Sequence, residues 1–530
     1  MTKFFRPIGI VLAAALAAAC GSSSQTSEPS VSFAPGTLAL DPPFRVASAN
    51  PALLAAQIGA TTSGAQLLQI AGAPTCGVDF YYLKFWTLGG AGEPTQSSGA
   101  LMVPTGGAGC SGPRPIVLYA HGFQTDQAYN IADISDPTNT EGAIIAATFA
   151  AQGYIVVAPN YAGYDISTLG YHPALNATQQ SGEMMDILTA ARMALPNTYS
   201  SATSDNGQLF VTGFSEGGFV AMATQRALQA AGATVTAAAP VSGPYALEAF
   251  GDATFFGGVF LDSTIFAPFI TTSYQQTYKN IYVATTDVYS STYATGIDTL
   301  LPSTTPITTL FADGRLPELA LFNSSTPTTY GGQPLPPALV AALAVPAVNP
   351  AAPETALFAS GFGSPYLINN DYRVSYVLDA LADPDGGAPT PVAGAPLAAV
   401  PPTQTLRLAL YTNDMRNGNW APTSPTLLCG GDQDPTVLFS VNTLNMADFW
   451  STTPAAALIT VLDVNAPPAG PFAAAQAGFQ QAGAQQLAFY MSAAGGGLSL
   501  AAAEQLLIQS YHDAVLPFCA SAARSFFSNI

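Results

Sequence analysis

Unbroken apolar runs alternate along much of the chain with stretches whose apolar residues recur every three or four positions. Pro115-Ile116-Val117-Leu118-Tyr119-Ala120 and Tyr154-Ile155-Val156-Val157-Ala158 are such runs, the composition of strands covered on both faces. Between them, Glu141 to Gln152 has helical spacing. Asp79 to Thr87 and Gly99 to Val103 read as leading strands, the second stopped by Pro104. Further on, Ser181 to Leu195, Gln208 to Phe214, Gly217 to Ala231 and Val235 to Val241 read as helix, strand, helix and strand. This rhythm predicts a mostly parallel sheet with helices on both faces.

The rhythm breaks after Ser242. Residues 245–405 are rich in Phe, Tyr, Thr, Ala and Pro and show no alternation that marks a strand, which predicts an inserted cap. The sheet pattern returns with Pro425 to Gly430, a helix from Val437 to Trp450 and a strand from Ala457 to Val464. Two Ala-rich helical stretches then fill residues 465–511 as a second insertion. At the other end, residues 21–50 are Ser, Pro and Ala rich without periodicity and read as a flexible tether. The core is therefore expected at 51–244 and 406–530.

Composition narrows the chemistry. Thirteen Lys and Arg against 32 Asp and Glu give a formal charge of −19, which repels phosphate backbones and argues against a nucleic-acid partner. With three histidines and five scattered cysteines, no metal-ligand spacing is present and no cofactor is called for. Lys3 and Arg6 precede an apolar run ending in small residues and Cys20, so residues 1–20 read as an export signal too short to span a bilayer. Ala17-Ala18-Ala19-Cys20 followed by Gly21-Ser22-Ser23-Ser24 resembles a bacterial lipoprotein cleavage box in which Cys20 is lipidated. Ordinary cleavage nearby is the alternative. The expected location is the cell envelope, through a lipid anchor in a membrane, or the exterior. There Cys76, Cys110, Cys429 and Cys519 can form two disulfides.

The strand ending at Phe214 runs straight into Gly213-Phe214-Ser215-Glu216-Gly217-Gly218, and a helix follows at once. A GxSxG string alone is weak, arising by chance roughly 0.3 times in a chain of this size and glycine content. The strand before it and the helix after it give the string meaning: a serine in a sharp turn, with helix N–H groups aimed at a developing oxyanion. Ser215 is thus a candidate nucleophile, and it needs a base. His121, in His121-Gly122-Phe123, follows a strand where a backbone donor is more useful, and His172 reads as a loop-fixing hydrogen bonder. His512 is left as the candidate base. The acid should follow a late strand. In Gly430-Gly431-Asp432-Gln433-Asp434-Pro435 both Asp434, which is favoured, and Asp432 qualify, with Asp463 a remote third.

The chain order Ser215, Asp434, His512, with His121-Gly122-Phe123 upstream, resembles the α/β-hydrolase superfamily. More narrowly it is similar to secreted bacterial lipases and esterases related to secretory lipases. Val157-Ala158-Pro159-Asn160-Tyr161-Ala162-Gly163-Tyr164-Asp165, His172-Pro173, Asn413-Asp414 and Trp420-Ala421-Pro422 carry further likeness. It spans residues 76–245 and 405–530. Asn160, where the family commonly has Asp, and Leu438, where it has Pro, depart from the pattern.

The resemblance implies an eight-stranded, mostly parallel sheet, with Ser215 after the fifth strand, Asp434 after the seventh and His512 after the eighth. It implies a serine ester hydrolase acting on small-molecule or lipid esters, with backbone N–H groups of Phe123 and Glu216 as the oxyanion hole and Gln124 in reserve. A serine peptidase, a polyester depolymerase and a non-catalytic surface binding protein are the rival functions; oligomeric state is left open. Of three possible cysteine pairings, Cys429 with Cys519 and Cys76 with Cys110 is expected, because the first pair lies beside the acid and base segments and the second braces the leading strands.

Overall fold

The two-residue period of the apolar runs sorts each strand's side chains onto two faces, and two hydrophobic cores result. The computed structural model describes residues 34–530 apart from 61, 137, 349–353, 383–393, 398–399 and 493–496. Among these residues the main sheet has nine strands: β1 (Phe44–Ala49), β2 (Gly77–Leu88), β3 (Pro94–Thr105), β4 (Gly112–Ala120), β5 (Ile155–Pro159), β6 (Thr203–Phe214), β7 (Ala237–Val241), β8 (Thr426–Gly430) and β9 (Ile459–Asp463). Their order across the sheet is β1-β2-β3-β5-β4-β6-β7-β8-β9. Pairing is antiparallel from β1 to β5 and parallel from β5 to β9.

Leu118 and Ala120 of β4, Ile155 and Val157 of β5, and Leu209 and Val211 of β6 face one core. They pack there against α2 (Ala177–Ala194) and α3 (Glu216–Ala230). Their neighbours Val117, Tyr119, Val156 and Phe210 face the other, against α1 (Thr140–Thr148) and α6 (Tyr511–Phe527). Full burial of each large aliphatic side chain contributes about 1.5–3 kcal/mol, so a polar residue at 116–118 of β4 or 155–157 of β5 would be costly. The helices start where capping side chains allow. Asn139 accepts from Gly142 N–H at 3.0 Å, and Asn176 from Gln179 N–H at 3.1 Å.

Between β7 and β8 the chain leaves the sheet through helices α4 (Leu247–Phe255) and α5 (Ser263–Tyr278) and several shorter elements. Part of this excursion's charge is buried: Arg407 pairs with Glu248 at 2.8 Å and with Asp252 at 2.9 Å. Helices Ala473–Ser492 and Leu500–Gln509 occupy the second insertion, and α6 follows. Both expected disulfides, Cys76–Cys110 and Cys429–Cys519, are present.

Four expectations need correction. The sheet has nine strands rather than eight, because Phe44–Ala49, inside the stretch read as tether, forms β1. That strand is held by backbone pairing to β2 while Phe44, Arg45 and Val46 stay exposed, so it has no alternating apolar signature. Pro104 does not stop β3, which runs to Thr105. β5 pairs only with Gly99 to Met102, and beyond that point β3 has the edge-like setting in which proline is tolerated. The helix read from Val437 is a π turn at Ser440–Leu444 leading into a helix at Asn445–Trp450. His512 lies on the first turn of α6, a helix that the sequence reading did not include. Residues 1–33, with the proposed signal and Cys20, lie outside the described residues. Among the described residues no helix is long and apolar enough to cross a membrane.

Candidate active site

β6 delivers Ser215 to a backbone conformation, φ 58° and ψ −123°, that non-glycine residues seldom adopt. The neighbouring glycines make the turn sterically feasible: a Cβ on Gly213 would sit 2.3 Å from the Gly217 carbonyl oxygen, and one on Gly217 would sit 2.0 Å from that of Ala120. Ser215 N–H donates to Val241 O at 3.0 Å, and Ser215 O accepts from Gly218 N–H at 2.8 Å. The turn is thereby tied to β7 and to the start of α3. Such strain at a defined residue is a mark of functional turns.

α6 and the loop after β8 bring the other two candidates together. His512 Nδ1 lies 2.7 Å from Asp434 Oδ2. The second carboxylate oxygen, Oδ1, accepts from Thr436 N–H at 2.9 Å and Val437 N–H at 3.0 Å, so the turn itself aims the carboxylate. The His512 ring packs on Phe214, the residue before Ser215, with centroids 4.7 Å apart. Its Nε2 is buried and makes no hydrogen bond among the described residues, so Ser215 Oγ is not bonded to it. Burial opposes charge on His512, but the Asp434 carboxylate and its hydrogen bond, with Asp513 and Asp262 adding, outweigh it and hold the imidazole above the ordinary histidine range. Asp432 and Asp463 are used elsewhere. Asn465 Nδ2 donates to Asp432 Oδ1 at 2.8 Å, and Asp463 Oδ1 accepts from the N–H groups of Asp432 and Asn465.

The N–H groups of Phe123 and Glu216 have no acceptor among the described residues, and neither does that of Gln124. Phe123 is locked from above, its ring lying 4.4 Å from Phe266 and 4.2 Å from Phe269 of α5. Ser215 opens into a narrow recess walled by Leu175, Phe250, Phe260, Phe266, Ile270 and Val437. The wall is apolar, with Glu216, Pro244 and Thr436 completing it.

A model of the prolyl oligopeptidase family matches residues 143–257, a minor part of the chain that includes the Ser215 turn. No curated protein matches in sequence. Among solved structures, the rice cell wall degrading esterase LipA from Xanthomonas oryzae is similar over 81% of this chain and 91% of its own, at 24% identity and TM-score 0.59. A Legionella pneumophila protein is similar over 92% of this chain and 96% of its own, at 16% identity and TM-score 0.58. The chain has the α/β-hydrolase fold.

Two further buried groups brace the site, and sequence reading missed one and undervalued the other. Glu141 at the start of α1 accepts Gly122 N–H on both carboxylate oxygens, at 3.0 and 3.1 Å, and also accepts from Tyr119 OH. It thus holds the strand-to-loop turn that presents Phe123. Burial pushes its carboxyl up to about 7, against the lowering effect of those hydrogen bonds. A glutamate beside the apolar run Gly142-Ala143-Ile144-Ile145, in a chain only 8% charged, was the available signal. His172 is the loop-fixing residue expected, but what it reaches is Glu216, at 2.8 Å. His121 is fully buried, with Nδ1 2.6 Å from Gly122 O and its ring 4.2 Å from that of Tyr161. Burial lowers its pKa to about 4, so it stands neutral and structural. Among the described residues no group of three or more His, Cys, Asp or Glu is arranged to hold a metal ion.

Proposed function

We propose that this α/β-hydrolase is a serine carboxylic ester hydrolase acting on apolar esters, in the manner of secreted bacterial lipases and esterases. The observation that carries the reading is the buried Asp434–His512 hydrogen bond of 2.7 Å, beside the strained Ser215 turn. Ser215 Oγ attacks the ester carbonyl while His512 Nε2 takes its proton. The proton then passes to the leaving alkoxide, and water repeats the sequence to release the acid. Asp434 orients His512 and stabilises its charged form. Phe123 and Glu216 N–H groups receive the oxyanion.

Residues 245–405 act as the cap in this reading, and the aromatic wall supplied by α4 and α5 receives the acyl or alcohol chain. With each buried methylene adding up to ~0.8 kcal/mol, kcat/KM rises from acetate to butyrate or hexanoate p-nitrophenyl esters. The rice cell wall esterase named above is consistent with an ester substrate. The prolyl oligopeptidase match favours a second reading, a peptidase using the same three residues. Two disulfides and the apolar leader support export, with Cys20 the proposed lipid attachment.

The test is a fluorophosphonate label mapped by peptide, joined to a substrate panel. Labelling at Ser215 that is lost in Ser215→Ala, with the rate falling on the order of a million-fold in Ser215→Ala and His512→Ala, supports the triad. A label on another peptide refutes it. A peptidyl anilide outrunning every ester moves the peptidase reading ahead.

A further inference from the structure

Glu216, the residue after Ser215, has a side chain that is only 1% exposed, and a carboxylate this close to the nucleophile opposes an oxyanion unless something balances it. Its Oε1 accepts from Gln180 Nε2 at 2.7 Å and meets His172 Nε2 at 2.8 Å. The other ring nitrogen of His172, Nδ1, faces Ala162 O at 2.9 Å. With Glu216 ionised, a ring whose two nitrogens both face oxygen acceptors, one a carbonyl and one a carboxylate, donates from both, and that is the imidazolium. The ring is wholly buried and sandwiched near Tyr161 and Tyr164, at centroid distances of 5.5 and 4.8 Å.

We propose that His172 is a positioning residue: as an imidazolium linking Ala162 to Glu216, it neutralises the carboxylate beside Ser215 and fixes the Glu216 N–H toward the developing oxyanion. Because Glu216 opens α3, the anchor on its side chain also restrains the Ser215–Glu216 peptide plane. The inference rests on the serine-hydrolase reading above. The electrostatics agree with the geometry. Burial opposes charge on both partners, yet their attraction and hydrogen bond hold His172 above the ordinary histidine range and Glu216 below the ordinary carboxylate range. The other ionisable groups that face the pair are Glu183 on α2, which accepts Ala162 N–H at 3.0 Å, neutral His121 after β4, Tyr161 and Tyr164 after β5, and Tyr274 on α5.

The experiment compares His172→Gln with the double variant His172→Gln/Glu216→Gln on a p-nitrophenyl ester. The single variant leaves a buried, unbalanced carboxylate, so kcat falls about 10²-fold with KM little changed. The double variant, which has no charge left at this place, regains at least about tenfold. As pH is lowered from about 9 to about 6, the ratio of His172→Gln to wild-type kcat climbs, because the unpaired Glu216 takes up a proton; His512 titration is common to both proteins and cancels. A merely structural role gives equal losses in the two variants and a flat ratio, and that result overturns the proposal. Should the single variant not fold, the imidazole ¹⁵N spectrum of the wild type decides. With three histidines in the chain the signals are assignable, and His172 carries two N–H protons at neutral pH; one N–H overturns the proposal. A wild-type protein that fluorophosphonate does not label at Ser215 defeats the serine-hydrolase reading. A labelled wild type whose His172→Gln variant keeps wild-type kcat defeats this inference alone.

Discussion

In the proposed triad Asp434 acts on His512 through one hydrogen bond, and that bond would set a pH limit on the reaction. A general base works only when neutral, and His512 is held above the ordinary histidine value of about 6.5. Activity is therefore lost as pH falls through a value higher than 6.5. In Asp434→Asn the attraction for the proton is gone: the acidic limb of kcat/KM moves to lower pH, and kcat drops about 10⁴-fold. A pH profile from about 5 to 9 checks both. Asp432→Asn leaves the limb in place, because its carboxylate is engaged with Asn465. Ser215 was legible in sequence because a short motif and its flanking elements coincide, and His512 because so few histidines compete. Asp434 and Asp432 share one turn, and it is the folded contact of Asp434 with His512 that separates them. The brace from Glu141 to Gly122 and the bond between His172 and Glu216 join residues 19 and 44 positions apart, contacts that no local pattern announces.

Two covalent ties act on different elements and should fail differently. Cys429 is the penultimate residue of β8, five residues before Asp434, and Cys519 lies seven residues after His512 on α6; the bond fastens the segments of the proposed acid and base to one another. Cys76–Cys110 joins the segment before β2 to the turn before β4, at the N-terminal end of β4 and so at the opposite strand end from Ser215, which follows the parallel strand β6. By chain entropy the shorter Cys76–Cys110 loop is worth about 4 kcal/mol and the longer Cys429–Cys519 loop about 4.6 kcal/mol. Replacing Cys76 and Cys110 by Ala lowers the melting temperature with kcat/KM held, whereas replacing Cys429 and Cys519 lowers both; thermal unfolding and ester kinetics on the two double variants check this. Strands buried on both faces were legible because their buried residues form unbroken apolar runs, as in Ile116–Ala120 of β4 and in β5. β1 was not, since its side chains are exposed and backbone pairing alone defines it. The helical setting of His512 was hidden too, because Pro517 inside α6 argues locally against a helix.

Across the whole molecule charge is scarce and arranged with purpose: 45 acidic and basic residues in 530, several of them buried against one another as Arg407 is with Glu248 and Asp252. The surface near Ser215 is left to aromatic and aliphatic side chains, which suits an uncharged ester more than a charged peptide terminus. The division into sheet and excursion was legible as a change of rhythm after Ser242. What roofs the serine was not, because the contacts of Phe123 with Phe266 and Phe269 join distant parts of the chain. The Cys429–Cys519 bond closes a loop of sequence separation 90 that contains the whole second insertion. A protease site engineered between Ser492 and Leu500 would cut the polypeptide in two while the piece carrying His512 stays attached through sulfur. The nicked protein should run as one band without reductant and as two with it, and it should hydrolyse esters until the thiol is added.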